Sequence, residues 1–501
     1  MVESRSTLPL REARQAPVVK QRLAYTHSWV RWTGAFAFAT ALTVMLSQTT
    51  YLSETTSVDA MRWVLLALLC LMTLIRPRNM LQLRRQIAAD GVFAVFICLA
   101  ATSALYSDAQ SLTLQRTISA GLLYISIFWT LWFYADVIGG ERLVLLLLRA
   151  ATLIFGAGLI YIFVSPDSWL DGRNRGIMAN PNAVGMLGIL FLPLAVARYL
   201  KTRRASSFWQ IVLIALSIVL SGSRNGVLTA SLATTYLLFR SRSWRAGFTI
   251  GVLGSLIYAL MTYAPSDEML QRPELQRLIP SDKALTGGGR VEAWEVAIPI
   301  IQKKLLFGHG FGTEDLIYKG MRFRIHRGGY IHNSYLGLTY QLGVIGALLL
   351  FGPLLWLLGA RLFRPQVPSW EAWSYESVLV GGLIASFFES WIYSAGNAFA
   401  FSFWTCVMLL ARVSYRGSDF GAIVYRPKPK APVKLPVSYI NAGPRLPVVR
   451  IHDTTTTDRI LPCSDGAGRE AEGRSGKSQD SSPTRDSATS SAVRPSKSHP
   501  P

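Results

Sequence analysis

Between residues 32 and 413 the chain returns repeatedly to runs of about 20 mostly apolar residues, a pattern that one soluble core does not need and a bilayer does. In hydrocarbon every backbone N–H and C=O must be paired within the protein, so such runs read as helices spanning roughly 30 Å. The segments expected to cross are 32–50, 61–75, 87–105, 118–138, 143–164, 182–199, 208–223, 226–239, 246–264, 334–359, 376–395 and 397–413. The expected fold is therefore an all-α polytopic membrane protein of about 12 transmembrane helices, with one large external loop and a disordered C-terminal tail.

Charge orients this array. The chain carries 51 basic and 29 acidic residues, a net of +22. Arg76, Arg78, Arg84 and Arg85 fall in one connection, Arg198, Lys201, Arg203 and Arg204 in another, and Arg240, Arg242 and Arg245 in a third, while 51–60 and 106–115 hold no basic residue. The positive-inside rule then puts both termini in the cytoplasm. The whole excess of +22 falls on the segments assigned there, so the high charge records topology and argues against nucleic-acid binding. Cys70, Cys98, Cys406 and Cys463 are too scattered for a disulfide framework or a zinc site. The first apolar run lacks a small-residue cleavage site and reads as a retained anchor.

The resulting organisation is a cytoplasmic segment 1–30, nine helices in 31–264, an external loop 265–331, three helices in 332–415, and a basic Pro/Ser/Thr-rich tail 416–501. The loop mixes ten basic with eight acidic residues, and loops of that length are usually functional. Within it, 290–306 places Val291, Trp294, Ala297, Ile298 and Ile301 at helical spacing, the pattern of an amphipathic helix lying on the outer membrane surface, with Pro299 limiting or kinking it.

Polar residues with chemical potential gather at the external helix ends. Ser221-Gly222-Ser223-Arg224-Asn225-Gly226 is a tight turn that holds Arg224 at the membrane rim, where a guanidinium suits a phosphate. Gly287-Gly288-Gly289-Arg290 opens the amphipathic helix and puts Arg290 at a helix N-terminus, a natural anion site. Phe307-Gly308-His309-Gly310-Phe311-Gly312 is a second Gly-rich turn, without the Lys-Ser/Thr of a phosphate loop. His332, in His332-Asn333-Ser334-Tyr335-Leu336, stands where the loop re-enters the membrane and is the side chain suited to accept a proton near neutral pH. Glu389 falls in the outer half of the segment 376–395, placed to orient His332 or to pair with an arginine, whereas Asp90 reads as helix-end solvation.

With these pieces the sequence resembles the O-antigen ligase and Wzy-type polysaccharide polymerase superfamily of bacterial inner-membrane proteins. The resemblance rests on RNRGIMANPNAVG at 173–185, SGSRNG at 221–226, GRVEAW with LLFGHGFGT at 289–313, and HNSYLGLTYQLGVIG at 332–346. It implies transfer of a glycan from an undecaprenyl-diphosphate carrier to an acceptor sugar hydroxyl on the periplasmic face, inverting and without metal or cofactor. By the same resemblance Arg224 and Arg290 bind the pyrophosphate, His332 is the general base, Glu389 matches an acidic position in the penultimate helix, and Asn182 belongs to the substrate-binding set without an assigned role. Possible partners are a chain-length regulator and a flippase. A polymerase of exopolysaccharide or O-antigen is the preferred reading, with a ligase acting on lipid A-core as the alternative. A lipid-linked oligosaccharide transporter, which twelve helices alone would also fit, or a scaffold using its basic tail on anionic lipid, are the more distant ones.

Overall fold

The computed structural model describes residues 16–52, 56–76, 88–170, 172–263, 290–318, 330–363 and 369–416. These lie in one unit of the chain, Met1–Lys428; the second, Pro429–Pro501, is outside the described residues, and so are Gly287, Gly288 and Gly289, the side chain of Asp90 and nearly all of the tail.

The chain is a helical array: α1 (Ala16–Leu46), α2 (Thr56–Leu71), α3 (Ala88–Thr102), α4 (Gln110–Tyr124) continuing through a π-helical stretch into α5 (Trp132–Ile138), α6 (Gly140–Val164), α7 (Pro181–Thr202), α8 (Ala205–Leu220), α9 (Arg224–Arg240) and α10 (Trp244–Tyr263). After these come α11 (Arg290–Lys303), α12 (Ser334–Phe363), α13 (Trp370–Ala385) and α14 (Ala400–Arg416). A two-residue hairpin, β1 (Trp169–Leu170) with β2 (Arg173–Asn174), precedes α7. Among the described residues six helices are long and apolar enough to cross a membrane, and shorter apolar helices accompany them. Trp244, Phe248, Val252, Leu256 and Leu260 of α10 are exposed, as the outer side of a helix in lipid is. The chain is an all-α, multi-pass membrane protein.

Helix occupies most of each expected segment except 376–395. There α13 stops at Ala385, and residues 386–399 are turns, so Glu389 sits in a loop and not in the outer half of a helix. The helix stops because its last groups are used by another element: the Ser386 carbonyl accepts the Ser334 N–H at 2.7 Å, and Ser334 Oγ accepts the Trp391 N–H at 3.1 Å.

The amphipathic helix also differs from expectation. α11 buries Ala293, Ala297 and Ile301 against Ile317, Ile331 and Tyr340, while Val291 and Ile298 are exposed. Its inner face therefore packs on protein, with Trp294, Ala297 and Ile301 of the expected stripe facing inward beside Ala293, whose carbonyl accepts the Tyr318 hydroxyl at 2.7 Å. Pro299 lies inside it, and helix continues to Lys303.

The Gly-rich turn 307–312 explains itself through a break in α12. Gly343 has φ 66° and ψ −172°, which interrupts the helix. Val344 N–H then donates to Leu305 O at 2.8 Å, and the carbonyls left over at Tyr340 and Gln341 accept the N–H groups of His309 and Gly310, both at 2.9 Å. The turn is thus a plug that satisfies a broken helix, and not a phosphate cradle. A Cβ at Gly343 would lie 2.0 Å from Leu306 O.

The two ends of the array differ. One holds ion pairs: the buried Glu376 accepts from Arg361 Nε at 2.7 Å and Arg240 Nε at 2.9 Å, the buried Asp136 pairs with Arg412 at 2.8 Å, and at the surface Lys201 bridges Glu141 and Glu371. The other gathers the helix ends near Arg224, His332 and Glu389. Gly343→Val should destabilise the protein by roughly 2–4 kcal/mol, from left-handed backbone and overpacking together, read as a lowered melting temperature in detergent.

Candidate active site

The segment entering α12 is pinned on every side. Asn333 Oδ1 caps the helix by accepting the N–H groups of Tyr335 at 2.9 Å and Leu336 at 3.1 Å. The Ile331 carbonyl accepts the Trp294 indole N–H of α11 at 2.9 Å. Between these fixed neighbours His332 adopts left-handed backbone, φ 53°, which a residue with a side chain holds only when its surroundings dictate it.

That conformation aims the imidazole at the loop after α13. His332 Nδ1 lies 3.1 Å from Glu389 Oε2, and Arg290 Nη2 donates to Glu389 Oε1 at 2.8 Å. One carboxylate therefore joins Arg290 and His332, the two roles left open for it by sequence. Burial works to raise the Glu389 pKa, but hydrogen bonds and charge from His332 and Arg290 outweigh it and hold the carboxyl below its ordinary range. With Nδ1–H assigned as the donor to Glu389, Nε2 is left with its lone pair. Arg290 Nε is buried with no hydrogen-bond partner among the described residues, so part of its donor set is uncommitted. The side chains of His332, Arg290 and Glu389 keep 35%, 25% and 20% of their surface exposed, which is enough to meet a substrate.

Arg224 opens α9 behind Ser223, whose side chain caps the helix through Gly226 N–H. The Glu389 oxygens are taken by Arg290 and His332, and Arg224 stands on another element. Its turn packs instead on the 173–185 stretch: Arg173 donates to Ser221 O at 3.1 Å and to Asn182 Oδ1 at 2.7 Å, and α7 and α9 cross where a Cβ at Gly226 would fall 2.6 Å from Gly185 Cα. Asn180 caps α7 by accepting Asn182 N–H at 2.8 Å, so the Asn-Pro-Asn piece builds a helix start and Asn182 orients Arg173.

Three residues of this end escaped sequence reading. Arg173 lies inside a quoted motif, which was signal enough to single it out. Glu314 is one acid in a loop of mixed charge, and Tyr393 follows an apolar run, so neither carries a local signal. Glu314 accepts Ile331 N–H at 3.0 Å and the Tyr393 hydroxyl, and burial pushes its carboxyl up despite hydrogen bonds from Ser390, Tyr393 and Ile331. Among the described residues no group of three or more His, Cys, Asp or Glu side chains is placed to hold a metal ion.

The fold and this cluster define a multi-pass membrane protein with a carboxylate-oriented histidine and arginine at one end of its helices. The family model for O-antigen ligase matches residues 209–351, which supports membership of the chain in the O-antigen ligase and polymerase superfamily. The match contains Arg224, Arg290 and His332, while Asn182 and Glu389 lie outside it. No curated protein matches the chain.

Because the Glu389 pKa is depressed in the folded protein, its contribution is present above the unfolded carboxyl value of 4.5 and is lost as pH falls through the lower folded value. The melting-temperature difference between wild type and Glu389→Gln in detergent should therefore be largest near neutral pH and shrink progressively in acid.

Proposed function

We propose that the protein is a glycan polymerase of the bacterial inner membrane that transfers an undecaprenyl-diphosphate-linked oligosaccharide to an acceptor sugar hydroxyl on the periplasmic face. The observation that carries this reading is the single carboxylate of Glu389 holding both His332 and Arg290. The family match supports a glycan-handling role for the same segment.

In this mechanism His332 Nε2 takes the proton of the acceptor hydroxyl as its oxygen attacks the anomeric carbon. Glu389 stabilises the imidazolium that forms. The bond from anomeric carbon to phosphate oxygen breaks, and its electron pair leaves with the lipid diphosphate, whose charge Arg290 and Arg224 stabilise. Direct displacement inverts the anomeric centre. A diphosphate is already a good leaving group, so the scheme needs no cofactor and no metal. The arginine-rich connections Arg198–Arg204 and Arg240–Arg245 lie at the end opposite His332, which favours a cytoplasmic position for them and for both termini.

His332→Ala should lower glycan output in a deletion strain by roughly 100-fold or more while the protein still inserts. Arg224→Ala and Arg290→Ala should each weaken turnover of the lipid-linked donor by roughly 10- to 100-fold. Wild-type output from His332→Ala would sink the mechanism. Deletion of the gene separates the two acceptors: single repeat units on the final acceptor mark a polymerase, and finished polymer left on the carrier lipid marks a ligase.

A further inference from the structure

Outside the bridge of Arg290, Glu389 and His332, the most completely organised acid at this end of the molecule is Glu314. It is 4% exposed and stands at the start of a short helical turn, Glu314–Leu316, directly after the plug that fills the break in α12. Its partners come from two separate parts of the chain. Oε1 accepts the N–H of Ile331, the residue before His332, at 3.0 Å. Oε2 accepts the hydroxyl of Tyr393, which lies four residues beyond Glu389 in the same loop. Ser390, in the same loop, is near enough to help hold the Glu314 carboxyl down against burial, and its Oγ accepts the N–H of Asn333, the residue after His332, at 3.1 Å.

The peptide N–H before His332 is therefore held by Glu314 directly, and the one after it by Ser390, in the loop that Tyr393 ties to Glu314. The same carboxyl also grips the loop that supplies Glu389. The chain makes room for this arrangement at Gly337 of α12, where a Cβ would fall 2.2 Å from the Tyr393 hydroxyl and 2.9 Å from Glu314 Oε2. A left-handed histidine has no intrinsic reason to stay in that conformation, and the bonds around it must supply one. Catalytic geometry tolerates little looseness, since small displacements of a base from its reacting partner cost large factors in rate.

We infer that Glu314, with Tyr393 and Ser390, is a positioning residue that holds the His332 backbone and the Glu389 loop in register, so that imidazole and carboxylate meet. The inference rests on the reading of His332 as general base. Glu314 does not touch the reacting atoms; it acts through the peptide N–H of Ile331 and through the loop, tied to it by Tyr393, whose Ser390 holds that of Asn333. Its work is hydrogen bonding and not charge, so an amide of the same shape can do most of it, and an isosteric apolar side chain cannot.

The test uses the full chain in lipid nanodiscs, as wild type, Glu314→Gln and Glu314→Leu, with a lipid-diphosphate-linked oligosaccharide as donor. Two quantities are measured: hydrogen–deuterium exchange of peptides covering 330–336, and kcat separately from KM for the donor. Glu314→Leu should speed exchange of the Ile331 and Asn333 amides by about 10-fold or more and lower kcat by about 10-fold or more, with KM within about 2-fold. Glu314→Gln should rescue most of both losses. The inference is overturned if Glu314→Leu keeps wild-type exchange, if its kcat is unchanged, or if Gln and Leu fail equally. It is overturned too if activity falls only in proportion to the folded protein recovered. His332→Ala, run beside them, keeps the two ideas apart: full turnover there removes the functional reading, whereas a dead His332→Ala with a fully active Glu314→Leu removes only this one.

Discussion

A polar peptide group in or near hydrocarbon must find a partner inside the protein, and the interesting parts of this molecule are the places where helices stop meeting that demand by themselves. Helix α12 breaks at Gly343, and its orphaned carbonyls are taken up by His309 and Gly310. Helix α13 ends at Ala385, and its terminal groups are taken up by Ser334. Each compensation brings a distant segment to the same end of the array: the loop after α11 in the first case, the start of α12 in the second. Candidate functional residues follow from that geometry. Arg224, Arg290 and His332 stand at or beside helix starts, and Glu389 stands just beyond a helix end, where backbone can turn and side chains can reach a ligand.

The charged groups at the two ends make an instructive contrast. Glu376 lies fully buried between Arg361 and Arg240, and Glu389 lies between Arg290 and His332. Both use one carboxylate to join two nitrogen donors from different elements, an arrangement that offsets the desolvation of buried charge only when the geometry is good. In the first, both partners are arginines that stay protonated, so the cluster is a fixed clamp between α9, α12 and α13. In the second, one partner is a histidine and the site keeps a fraction of its surface open, so the same electrostatic pattern is within reach of a ligand.

How much of this was legible along the chain depended on whether the physics was local. Hydropathy located the helices because burial in lipid acts on each segment alone, and it failed at 376–395, where an apolar sequence is turned aside by hydrogen bonds to Ser334. The stripe of α11 was legible at Trp294, Ala297 and Ile301, and missed at Val291 and Ile298, which are exposed, and at Ala293, which is buried. The glycines of 307–312 read only as a turn without the Lys-Ser/Thr of a phosphate loop, and they serve a packing role that depends on Gly343, more than thirty positions away. Asn182 was grouped with the substrate-binding residues, and its amide oxygen is occupied by Arg173. Glu314 had no pattern to betray it, since an acid becomes informative only when it is seen to be buried and surrounded by donors.

The sequence by itself determined that this is a multi-pass helical membrane protein, and its motifs put Arg224, Arg290, His332 and Glu389 forward as a candidate set. Those properties come from composition and short-range spacing, which act before the chain is folded. Only the tertiary structure decided that Glu389 bridges Arg290 and His332, that the turn before Arg224 packs on Arg173, and that Glu314 holds the peptide N–H before His332. Such contacts join residues 17 to 99 positions apart. Their existence depends on where helices break and which partners absorb the freed backbone groups, and no local pattern in the chain encodes that choice.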